Sequence, residues 1–253
     1  MTFFDTHLHL SAEDDPAAVL AQARAVGVAE FLLAGTDLSS SEFGAALALA
    51  EPGVYAAAGV HPHQAAEFVS AEMARFRDCL ACPGVVAVGE IGLDYHYDFS
   101  PREVQRRVFA LFLEVANELH LPAVIHCREA FEDCFELVQG HLRPGSPFLI
   151  HSFTGTLEEC RRWQDLGAHF SINGMVTFRK ADNIRNLLPQ IQPERLLLET
   201  DSPYLAPMPY RGKKNCPAYL LEIAKRVAEE QGISLAEVAE QTTRNARGFF
   251  AIA

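Results

Sequence analysis

Short apolar runs recur along the chain at residues 3–6, 30–36 (EFLLAGT), 54–60 (VYAAAGV), 85–91 (VVAVGEI), 123–127 (AVIHC), 148–152 (FLIHS), 169–173 (HFSIN) and 196–201 (LLLETD). Each is bounded by glycine, proline or polar residues, and runs of this length read as strands. Between them, residues 16–26, 41–50, 101–119, 130–141, 157–166 and 181–188 carry apolar side chains at helical spacing. Residues 217–231 and 235–250 read as one or two closing helices. Strands alternating with helices predict a parallel sheet, and eight such repeats in a chain of 253 residues predict a single-domain α/β fold, a (β/α)8 TIM barrel over residues 1–253.

Composition agrees with that expectation and narrows the function. With 49% hydrophobic and 21% charged residues the chain has ample material for a core. No apolar run reaches the ~20 residues of a membrane helix, and MTFFDTHLHL has neither the basic region nor the cleavage site of an export signal, so no membrane association and a cytoplasmic location are expected. The six cysteines are scattered, which suits reduced thiols. Cys79 and Cys82 form a lone C-x-x-C at a helix end, without the second ligand pair of a zinc knuckle, and read as structural. The net charge of −12 excludes a broad basic surface for duplex nucleic acid but leaves room for a local phosphate site. Nothing in the sequence points to an obligate protein partner.

The polar residues interrupting the apolar runs carry the chemistry. Asp5, His7 and His9 alternate along the first strand and so are expected on one face. His61 and His63 follow strand three, Glu90 lies in strand four, and His126, His151 and Asp201 close strands five, six and eight. In a barrel all of these fall at the carboxyl ends of the strands, the face on which active sites are built. A lone histidine there is more often a hydrogen-bonded structural residue, but six ionisable groups on one rim would be costly without a partner such as metal. Nitrogen and oxygen ligands suit Zn, Mn or Mg, and they are too many for one tetrahedral ion. Two divalent ions bridged by Glu90 would use them all and suit hydrolysis of phosphate esters, with Asp201 as the group that activates water. His63, Arg128 and Arg211 are candidates for phosphate oxygens, although Arg211, Lys213 and Lys214 also read as a solvated cluster. Tyr95 and Tyr204 are candidates for base stacking, with packing as the commoner role of tyrosine.

The blocks FFDTHLHL, AGVHPH, VGEIGLDYHYD, HCREAFED, HSFTGT, LLLETDSPYLAP, RGKKNCPAYL and TTRNARGFF resemble the TatD family of metal-dependent hydrolases, in order and over nearly the whole chain. The pattern D-x-H-x-H is shared by many barrel hydrolases, whereas ETDSP followed by RGKxNxP is more specific. The resemblance implies that His7, His9, Glu90 and Asp201 hold one metal while Glu90, His126 and His151 hold the other. It also implies a deoxyribonuclease of the 3′–5′ exonuclease type, acting on single-stranded or frayed DNA ends. Ser11, His96, Ala123 and Gln192 depart from the family pattern; Ser11 and His96 lie near the rim and bear on substrate preference. A metal-dependent ester or amide hydrolase, such as an aminoacyl-tRNA deacylase, is the alternative; a strand-four lysine would favour it, and Glu90 stands there instead. A non-catalytic metal-binding protein is disfavoured by the complete ligand set.

Overall fold

The computed structural model describes residues 1–252. Among them, eight strands run β1 (Phe3–Leu8), β2 (Val28–Ala34), β3 (Val54–Ala58), β4 (Val85–Asp94), β5 (Ala123–Arg128), β6 (Phe148–Ile150), β7 (His169–Ile172) and β8 (Leu196–Leu198). They form one sheet in chain order. The pairings β1–β2, β3–β4, β4–β5, β5–β6 and β7–β8 are parallel. The chain beyond β8 returns to β1 through a parallel bridge between Leu8 and Ser202. The helices are α1 (Pro16–Ala25), α2 (Leu38–Ala50), α3 (Met73–Leu80), α4 (Arg102–Leu119), α5 (Phe131–His141), α6 (Leu157–Leu166), α7 (Asp182–Leu187), α8 (Leu220–Gln231) and α9 (Leu235–Phe249). This is the (β/α)8 order that the apolar runs predict. No helix among the described residues is long and apolar enough to cross a membrane.

Helix starts follow their capping residues. Asp37 accepts the Ser40 amide at 2.7 Å to begin α2, and Ser234 and Glu237 form a reciprocal capping box at α9, with Glu237 accepting the Ser234 amide at 2.7 Å. Helix α3 is the one expected to end at the Cys79–Cys82 pair, although no apolar spacing marks its start. Its eight residues bury only Phe76, Cys79 and Leu80, too short a stripe to stand out from the loop before it. Cys79 is buried there, and Cys82 just past the helix donates its thiol to the Asp78 carbonyl.

Contacts group the chain into two compact units. One comprises residues 1–33, 152–164 and 169–253, and the other residues 34–151 and 165–168. The first packs Phe153 on Phe170 and Phe4 on Phe250, with Trp163, Leu8 and Leu196–Leu198 buried. In the second, Phe112 of α4 lies edge-on to Phe76 of α3 at 5.2 Å beneath the buried strands β3–β5. Burial of these side chains at ~25 cal/mol per Å² is the main force holding each unit.

Strand ends shift relative to the apolar runs. The strand β4 continues three residues past Ile91 to Asp94, because Gly92 lets it press against β5. Strand β8 stops at Leu198, so Asp201 stands three residues beyond it on a turn.

Candidate metal centre

The first unit gathers His7, His9 and Asp201. His7 is buried inside β1, and His9 lies just past it. Backbone bonds bring the third member in: the Asp201 amide donates to the His7 carbonyl at 2.9 Å, and the His9 amide donates to the Ser202 carbonyl at 2.7 Å. Asp201 adopts a left-handed backbone, φ 55°, a conformation that aspartate tolerates better than most residues. Ligand atoms of the three side chains lie within 4.8 Å of one another, with His9 Nε2 3.5 Å from Asp201 Oδ1.

Asp5, which alternates with His7 and His9 along β1, is bonded elsewhere. Its carboxylate, fully buried, accepts the Thr200 amide at 2.8 Å and the Thr200 hydroxyl at 2.5 Å. Burial pushes its carboxyl up to about 8 despite those bonds. Asp5 therefore ties β1 to the segment that carries Asp201.

A second buried network, not foreseen from sequence, supports the same segment. Glu199 accepts the Ser152 amide at 2.8 Å and the Ser171 hydroxyl at 2.5 Å, while Asn173 donates to the Ser152 hydroxyl at 2.7 Å. The signal was present as polar residues inside the apolar runs HFSIN and LLLETD. Beside His9 opens a cavity of about 260 Å³ lined in part by Pro203, Asn215 and Tyr219. The Asn215 amide donates to the Thr200 and Tyr204 carbonyls, and Lys214 pairs with Asp14 at 2.7 Å.

The second unit gathers Glu90 of β4, His126 of β5 and His151 just past β6. Glu90 Oε1 lies 2.7 Å from His151 Nε2 and 2.9 Å from His126 Nδ1, and those two ring nitrogens are 3.2 Å apart. Three ligand atoms thus converge on one point. The opposite nitrogen of His126, Nε2, lies 3.1 Å from Asp94 Oδ2, so Asp94 fixes the ring orientation as the outer carboxylate of a metal-binding histidine does. Burial would lower the His126 pKa, but the flanking Asp94 and Glu90 carboxylates raise it. Burial alone would raise Asp94, yet bonds from His126, the Tyr97 amide and His63 hold it well below the usual carboxylate range. Gly92 permits the close packing: a Cβ there would lie 1.9 Å from the His126 carbonyl oxygen, and its φ is 144°.

His61, which the sequence placed at the rim without a role, also faces Glu90, at 3.5 Å through Nε2. Its Nδ1 accepts the His63 amide at 3.1 Å, and burial pushes the ring well below its ordinary pKa. Ligand atoms of His61, Glu90 and His126 lie within 4.8 Å of one another, and a neutral imidazole is the form that binds metal, so His61 is a further candidate ligand beside the second cluster.

The expected substrate residues are spread over both units. His63 lies 3.0 Å from Asp94 Oδ2 through Nε2, and Arg128 is exposed with its guanidinium 4.8 Å over the Tyr97 ring. Tyr95 is committed elsewhere: its hydroxyl donates to Asp133 at 2.5 Å, Arg102 covers its ring at 4.2 Å, and its pKa is pushed up to about 12 by burial and the Asp133 bond. Arg211 is exposed over Phe178 at 4.3 Å, and Tyr204 is 61% exposed with its ring 6.0 Å from His9.

Histidines and carboxylates gathered on or just beyond parallel strands, on a (β/α)8 chain, mark a metal-dependent hydrolase of the amidohydrolase-like barrels. The chain belongs to the TatD family: the family described as TatD related DNase matches residues 4–251. It is 36% identical over 252 residues to the uncharacterized metal-dependent hydrolase YabD of Bacillus subtilis (strain 168), covering 98% of this chain and 99% of that one. It is 37% identical over 257 residues to the 3′-5′ ssDNA/RNA exonuclease TatD of Escherichia fergusonii, with coverage of 98% and 99%. Among solved structures, YJJV, a TatD homolog from Escherichia coli K12, superposes with a TM-score of 0.93 at 27% identity, over 99% of this chain and 98% of that one. That likeness extends over the whole barrel.

Proposed function

We propose that this chain is a divalent-metal-dependent 3′–5′ exonuclease acting on single-stranded DNA or RNA ends. The observation that carries the reading is the pair of ligand clusters, His7–His9–Asp201 in one unit and Glu90–His126–His151 in the other. Both consist of nitrogen and oxygen donors that are largely buried and already converge, which fits Mg, Mn or Zn rather than a soft ion. We assign one ion to each cluster. Ions held there would supply Lewis-acid activation of water and charge stabilisation for phosphoryl oxygens. The names of the exonuclease relatives at 37% identity support the nucleic-acid substrate.

The residues of the chain then take distinct parts. Asp201, beside His9, accepts the proton of the attacking water. Glu90 supplies negative charge and one ligand atom, and its backbone is held by its own amide, which donates to the Gly35 carbonyl at 2.7 Å. Asp94 keeps His126 Nδ1 turned toward Glu90. His63 and Arg128 bind phosphate, and Arg211 is a further phosphate contact from the final loop; Tyr95 is left out because Asp133 and Arg102 occupy its hydroxyl and its ring face. The cysteines at 79, 82, 127, 134, 160 and 216 are free thiols, which supports a reducing, cytoplasmic compartment.

The test is a substrate panel on metal-reconstituted protein: end-labelled DNA and RNA oligomers beside aminoacyl esters. The expected result is a product ladder that shortens from the 3′ end. Cleavage of the esters with intact oligomers would replace the reading by a deacylase, and shortening from the 5′ end would reverse the polarity.

A further inference from the structure

We propose that Tyr97 and Phe99 form a stacking platform that receives a base of the single-stranded substrate, an inference that rests on the nuclease reading above. The two rings lie nearly parallel, 14° apart with centroids at 5.1 Å, yet Tyr97 is 49% and Phe99 67% exposed. Large aromatic faces left in water at this level forgo the favourable burial such rings usually find. Their mutual stacking covers only part of that surface, and most of Phe99 remains in water.

The segment that carries them is fixed rather than loose. Asp94 Oδ1 accepts the amides of His96 and Tyr97, each at 3.0 Å. At the other end, the buried Ser100 hydroxyl donates to the His63 carbonyl at 2.9 Å and accepts the Ala66 amide at 2.9 Å. Gln105 joins the two ends, donating to the Asp94 and Ser100 carbonyls at 3.1 and 2.8 Å. A platform held this way binds without a large ordering cost. The same Asp94 carboxylate also bonds His126 and His63, so the platform is positioned by the group that orients a proposed metal ligand.

Charge beside the rings selects the occupant. The Arg128 guanidinium lies over Tyr97 at 4.8 Å, and His63 meets Phe99 edge-on at 4.8 Å. A base is a flat π-face joined to a phosphodiester, so one nucleotide can satisfy the rings, the Arg128 guanidinium and the His63 imidazole together. Two rings are far too small a patch for a stable protein interface, which needs roughly 1,200 Å² or more in total. Stacking of this kind tolerates any base, as an exonuclease requires.

The experiment compares wild type with Tyr97→Ala, Phe99→Ala and the double variant, each checked for fold by circular dichroism, and with Phe99→Trp, which keeps a stacking face. Equilibrium binding is read by anisotropy on a labelled hexanucleotide and on the same backbone made wholly abasic; KM and kcat are read on the same pair. Wild type is expected to prefer the base-bearing strand by about tenfold or more. The double variant should lose most of that preference, chiefly in Kd and KM, and Phe99→Trp should retain it. A preference that survives the double variant, or a wild type that does not distinguish the two strands, overturns the platform. Base-dependent binding without cleavage of any oligomer would overturn the nuclease reading while leaving the platform standing.

Discussion

Asp201 combines a left-handed backbone with a carboxylate 3.5 Å from His9, and its amide is anchored to the His7 carbonyl. Asparagine tolerates the same backbone and keeps one oxygen ligand, but it cannot accept a proton. Asp201→Asn should therefore retain oligonucleotide binding and most of its metal while the turnover rate falls 10²–10⁴-fold, as for loss of a general base. Metal content measured beside kcat checks this; turnover above about a tenth of wild type at saturating metal would place proton acceptance on another group. His169 of β7 makes a stability statement instead. Its ring lies 4.8 Å from Phe249, and burial, aided by Arg195, pushes its pKa from 6.5 down to about 4. Between those values the unfolded chain binds the proton and the folded chain does not, so stability is lost as pH falls from 6.5 toward 4 and is unaffected above 6.5. His169→Phe should flatten that limb by roughly 1–2 kcal/mol, less than the full shift implies because the ring is partly exposed. Denaturant midpoints at pH 4.5 and 7.5 give the comparison; an equal acid loss in both proteins would assign the limb to other groups.

Close pairing of β4 with β5 is the element-level condition for the second cluster. Gly92 stands opposite His126, and any Cβ at that position would meet the His126 carbonyl. Gly92→Ala should push β5 outward at His126, weaken its hold on Asp94, and lower metal affinity by about 10–100-fold, the range for losing an outer-shell partner. Metal titration of the purified variant measures it, and wild-type affinity would show that β5 adapts without moving the ring. Such a constraint is invisible in VGEIGLD read as a string, because it depends on the register between two strands. The strands themselves were legible: apolar runs near all eight are enough, since a strand buried on both faces needs no alternation. The rim residues were legible too, as polar interruptions at run ends. What could not be read was partnership. Asp5 alternates correctly with His7 and His9 yet bonds Thr200, 195 residues away in sequence. Asp94 looked like one more residue of GLDYHYD, although His63, His126 and the 95–100 segment all depend on it. Of helix α3 only the end, at the Cys79–Cys82 pair, was legible, because it buries just Phe76, Cys79 and Leu80.

On the scale of the whole molecule, charge limits how a nucleic acid can be held. The chain carries 21 basic and 33 acidic side chains, a net charge of −12, and many of its arginines are consumed in local pairs such as Arg75–Glu42, Arg106–Asp133 and Arg226–Glu230. The side chains placed for phosphate in the proposed reading are few: Arg128 beside Tyr97, His63 beside Asp94, and Arg211 over Phe178. Binding of a single strand should then release counterions from about two or three phosphates, for a slope of log K against log salt near −2, at about −0.7 per contact. Arg128→Ala and Arg211→Ala should each make the slope shallower by about 0.7. A labelled hexanucleotide titrated by anisotropy between 50 and 300 mM KCl supplies the slopes. A wild-type slope steeper than about −4 would require a basic track longer than these three groups provide. An Arg211→Ala slope equal to wild type would leave that guanidinium on Phe178, as part of the surface rather than of the binding site.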